Sequence, residues 1–166
     1  MRRSTLAAGL AVAVLFGALA LAQAAFDLKE LVAYRLTPEG FGRFDQATRL
    51  MAASARHDPA FPKDPLFNRE IDLSGDAPLM AAALQARLEK EPIFTSALRA
   101  AGMEAREYTK FALTLLAARL AHGFVEAGVL ARVPADVPTS NVKFVDEHQP
   151  EIARLLEELR VLGAQP

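Results

Sequence analysis

His122 and Glu126 stand four residues apart, and Arg119 stands one helical turn before His122. On a helix these residues share a face, because side chains at i, i+3 and i+4 are neighbours. A His/Glu pair at i, i+4 supplies half of a metal site, and a metal needs three or four ligands. The chain has only three histidines, and neither His57 nor His148 falls in a ligand-spaced cluster. It has no cysteine, which excludes thiolate metal sites, disulfides and cysteine nucleophiles. No metal and no cofactor is therefore expected. Arg119, His122 and Glu126 are expected to hydrogen-bond to one another or to a neighbouring loop. The functional alternative is a polar pocket for a small anion, since a guanidinium suits carboxylates and phosphates.

Asp146-Glu147-His148 is a second acid–histidine run. Adjacent helical residues point in different directions, so the three cannot converge on one substrate atom, and a solvated helix face is expected. Ser54, Ser74, Ser96 and Ser140 lie in no G-x-S-x-G nucleophile elbow. No G-x-x-x-x-G-K-[ST] or G-x-G-x-x-G phosphate loop is present. No catalytic residue is assigned. The net charge is −1, with 19 basic against 20 acidic residues, and no basic stripe flanks the aromatic residues. Nucleic acid is therefore not an expected partner.

The elements that hold these residues are read from punctuation and periodicity. Phe26 to Leu36 reads as one helical turn or an extended lead-in. Thr37-Pro38-Glu39 then opens a helix at about 38–56: a hydroxyl cap, a ring preset for the first turn, and an acid at the positive end. Phe41, Phe44, Thr48, Met51 and Ala55 fall on one side of it. From His57 to Ser74, Pro59, Pro62 and Pro65 interrupt regular structure while Phe61, Leu66, Phe67 and Ile71 call for burial. This segment is expected to be an ordered loop pinned by its aromatic side chains.

Asp76 is placed to cap a helix at about 77–90, and Pro92 starts a short one that Gly102 ends. The stretch at about 104–127 is the longest and most apolar. Phe111, Leu115 and Ala118 mark one side of it, and Leu113, Leu116, Leu120 and Phe124 another. A helix apolar nearly all round is buried on most sides. Thr139, Ser140 or Asn141 caps a further short helix, and Pro150 begins the last. No period-2 strand appears. The expected fold class is all-α: four to five helices packed around the central hydrophobic helix at about 104–127.

Ahead of these helices, Arg2 and Arg3 precede an unbroken apolar run from Leu6 to Ala22, and Ala22-Gln23-Ala24 supplies small residues for cleavage. Residues 1–24 read as a secretory signal peptide. Cleavage after Ala24 leaves residues 25–166 as one domain, periplasmic or secreted, with no membrane span. A retained leader acting as a membrane anchor is the alternative, because no charge interrupts Arg3 to Asp27.

Gly102-Met103-Glu104-Ala105-Arg106-Glu107-Tyr108, leading into the hydrophobic helix, and Asn141-Val142-Lys143-Phe144-Val145 carry a resemblance. Over residues 37–160 the chain resembles a group of small secreted bacterial helical proteins of unknown function. The resemblance implies a helical fold and an exported location. It brings no activity, cofactor or site.

The expected function is that of an exported, non-catalytic helical domain, an interaction or accessory protein whose partner is another protein of the cell envelope. One alternative is a binder of a small apolar or amphipathic ligand in an inter-helix pocket covered by the 57–74 loop. An enzyme of unrecognised type is the second.

Overall fold

The computed structural model describes residues 28–55, 57 and 77–163. The leader expected at 1–24 lies outside the described residues, as does nearly all of the 57–74 loop. The described residues form seven helices and no strand: α1 (Leu28–Ala33), α2 (Pro38–Ala55), α3 (Ala77–Lys90), α4 (Pro92–Ala100), α5 (Ala105–Glu126), α6 (Thr139–Glu147) and α7 (Gln149–Gly163). The all-α expectation holds, with more helices than the four or five foreseen. The lead-in to Leu36 contains a short helix of its own.

Local chemistry sets the boundaries. The Gly40 N–H donates to the Thr37 hydroxyl at 3.1 Å, which satisfies one of the free amides at the start of α2. Helix α4 begins with Pro92, whose missing N–H costs nothing in a first turn. Helices α4 and α5 both end on a left-handed glycine, Gly102 (φ 64°) and Gly128 (φ 70°). Met103 N–H reaches Leu98 O at 3.0 Å and Val129 N–H reaches Phe124 O at 2.9 Å, closing both termini by the same two-bond motif. Only a residue without Cβ adopts that φ without strain.

Helix α5 lies against α1, α2, α3, α4 and α6. Phe111 is fully buried at the centre of an aromatic cluster: the Phe44 ring is stacked at 4.9 Å, with Phe41 and Phe144 just beyond. Leu88, Phe94, Leu98, Leu115, Ile152 and Leu155 continue this core. Each such aromatic or aliphatic side chain gains about 1.5–3 kcal/mol from leaving water.

The two apolar sides of α5 are not equivalent. Phe111, Leu115 and Ala118 are buried, whereas Leu113, Leu116 and Leu120 are half-buried and Phe124 is 46% exposed. The expectation of burial on most sides is thus corrected: the neighbouring helices cover the Phe111 side fully and leave the other side partly open to solvent. A periodicity reading sees only that both sides are apolar.

Candidate functional site

The sequence-derived trio separates. His122 Nδ1 is 3.3 Å from Glu126 Oε2, as the i, i+4 spacing requires. Arg119 is exposed and enters neither of the His122 ion pairs. The second partner of His122 is Asp146 on α6, whose Oδ1 lies 3.4 Å from Nε2. Sequence reasoning missed this pairing because 24 residues and a helix connection separate the two. The run Asp146-Glu147-His148 diverges as expected. Asp146 faces His122, Glu147 faces Lys143 at 3.4 Å, and the His148 ring packs on Phe144 and Phe41.

Two further clusters bind elements together. Asn141, one of three candidate helix caps, is instead completely buried and clasps the segment between α1 and α2. Its Oδ1 accepts from Leu36 N–H at 3.0 Å and its Nδ2 donates to Tyr34 O at 2.9 Å. The residue at the cap position of α6 is Pro138, which has no side-chain acceptor to offer. Below this clasp Glu30 on α1 pairs with Arg106, at 2.5 Å, and with Lys110 on α5. Hydrogen bonds from those two cations hold its carboxyl below the ordinary carboxylate range.

Arg43 on α2 reaches Glu107 at 2.7 Å. The Tyr34 hydroxyl is pushed above its ordinary value, first by burial and then by the Glu107 charge. Thr48 donates its one hydroxyl hydrogen to Phe44 O at 2.7 Å, so Tyr108, 2.9 Å away, must donate to Thr48. Burial of the Tyr108 hydroxyl raises its pKa above the ordinary tyrosine value.

These clusters are ion pairs and hydrogen bonds within helices and between them. Among the described residues no group of three or more His, Asp or Glu side chains could hold a metal ion. Ser140 and Lys143 do stand at S-x-x-K spacing, which corrects the expectation that no serine lies in that context. Both are exposed, and Lys143 faces Glu147 at 3.4 Å.

A concave feature among the described residues lies elsewhere. A groove of about 430 Å³ runs between the last turns of α2 and the length of α4. Leu50 and Ser54 form one wall, and Ile93, Ser96, Ala97 and Ala100 form the other. Among the described residues its lining is mostly apolar and includes no charged side chain. The groove was legible only in part. Exposed Leu50, Ser54, Ser96 and Ala100 are uncharged, a departure from an ordinary solvated helix face, but their approach depends on how α2 and α4 pack. No described helix is long and apolar enough to cross a membrane. Compared with known proteins, the chain matches no family model, no curated protein and no solved structure.

Proposed function

We propose that this protein is an exported, non-catalytic helical domain that binds another protein of the cell envelope through the α2–α4 groove. In this reading residues 1–24 are a cleaved signal peptide, and residues 25–166 fold as one bundle around α5 in the periplasm or outside the cell. The observation that carries the reading is the groove: a channel walled by two helices whose described lining is uncharged and mostly apolar. Isolated exposed apolar residues are ordinary, but a contiguous concave strip marks interaction surfaces. A small ligand in an open channel keeps much of its surface in water, whereas ligand sites bury most of it. A partner helix laid along α2 and α4 covers the whole strip, in the manner of helix-in-groove recognition.

The test compares tagged mature protein carrying Ser96→Arg with wild type in pull-downs from envelope extract. Exposed Lys143→Ala, on α6, serves as the control. A partner retained by wild type and Lys143→Ala, and lost with a folded Ser96→Arg, is the expected result. Identical recoveries from all three proteins would show that the groove is not the binding surface.

A further inference from the structure

Helix α4 carries a single charged side chain, Arg99, and no acid. Arg99 is exposed, one helical turn after Ser96 and next to Ala100, both of which line the groove. Side chains three apart on a helix are neighbours, and each leans toward the helix N-terminus. Arg99 therefore lies along the groove's edge rather than beyond its end. Arg43 reaches Gly102 O at 3.4 Å, just past α4, whereas Ser54 at the end of α2 and Pro92 at the start of α4 both line the groove. Helices α2 and α4 thus run antiparallel, and Arg99 marks the Ala100 end of the groove.

The cations of α2 are compensated. Arg43 meets Glu107 at 2.7 Å, and Arg49 meets Asp45 at 2.9 Å. The Arg99 side chain has no ion pair or hydrogen bond among the described residues. The negative end of α4 favours a cation in its last turn, but it supplies no carboxylate to meet one. The groove itself calls for apolar groups. Ala97 is buried, Ile93 is half-buried and Leu50 is 37% exposed, while the small side chains of Ser96 and Ala100 leave room for larger ones. A helix that lays an apolar stripe there brings one flanking edge against Arg99. That guanidinium attracts a carboxylate and repels a cation. Resting on the groove as the binding surface, we infer that its occupant is an amphipathic helix of the partner protein. The edge of that helix that meets Arg99 carries an aspartate or glutamate.

The experiment is photo-crosslinking from position 96 in the producing cell, with Arg99 kept or changed to Lys, Gln or Glu. Arg119→Glu, a charge reversal at an exposed position of α5, is the control. Circular dichroism of the purified proteins checks that each folds, and Arg99→Gln decides the matter should Arg99→Glu fail to. The adduct is expected at full yield with Arg99→Lys and with Arg119→Glu. It falls about two- to fivefold with Arg99→Gln, which removes an attraction, and about tenfold with Arg99→Glu, which adds a repulsion. Mass spectrometry of the adduct finds an apolar i, i+3, i+4 pattern in the partner segment, with an Asp or Glu within two turns of the crosslinked residue. Undiminished adduct from both Arg99→Gln and Arg99→Glu, an equal loss with Arg119→Glu, or a crosslinked segment without an acid overturns the acidic edge and leaves the groove standing. No adduct with Arg99 intact removes the groove as the binding surface, and the acidic edge with it.

Discussion

Asn141→Ala tests the clasp that fastens the segment between α1 and α2 onto α6. The substitution leaves Leu36 N–H and Tyr34 O without the partner they share, across sequence separations of 105 and 107 residues. The Leu36 bond is buried, so its donor cannot recruit water and loses about 1–3 kcal/mol. The Tyr34 carbonyl is only partly buried and regains water, so its loss is about 0.5–1 kcal/mol. A small cavity at a fully buried position adds to both. The expected cost is about 2–4 kcal/mol, a large share of the roughly 5–15 kcal/mol that holds a domain together. Urea melts give the global figure, and amide hydrogen exchange at Leu36 gives the local one. The amide should be protected in wild type and exchange faster in the variant. A melt within about 0.5 kcal/mol of wild type, with unchanged protection at Leu36, would refute the clasp.

Thr114 is buried, and its hydroxyl has no hydrogen-bond partner among the described residues, so Thr114→Val should stabilise the protein by about 1 kcal/mol in urea melts. Leu115→Ala should cost about 2–5 kcal/mol, and half-buried Leu116→Ala clearly less, which the same melts would rank. Glu30→Gln should lower stability at neutral pH by no more than about 1 kcal/mol, because its cationic partners are themselves partly exposed. The folded-state pKa of Glu30 lies below the ordinary carboxylate value of 4.5, so its contribution is present above that value and fades as pH falls through the lowered pKa. Melts of wild type and Glu30→Gln should therefore converge in acid.

Helix positions were legible because their signals are local. Thr37, Pro92, Gly102 and Gly128 act within one turn of the chain, through a cap, a fixed φ or a left-handed φ. What the sequence concealed depends on packing between distant segments. Asn141 reads as a helix cap by type and position, yet the Leu36 amide claims its side chain. Leu115 and Leu116 are the same residue type one step apart, and only the placement of the neighbouring helices buries one and leaves the other half-open. The His122–Glu126 pair follows from helical spacing, but Asp146 arrives on another helix. The groove arises likewise, because neither Leu50 nor Ser96 signals a channel until α2 and α4 lie side by side.

The claim at the centre of this account is that the α2–α4 groove holds a protein partner. A photo-crosslinking residue placed at Ser96, on the groove wall, tests it in the producing cell, with the same residue at exposed Lys143 on α6 as reference. The account predicts one discrete heavier adduct from position 96 upon illumination and none from position 143. No adduct at position 96, or the same adducts from both positions, would contradict it.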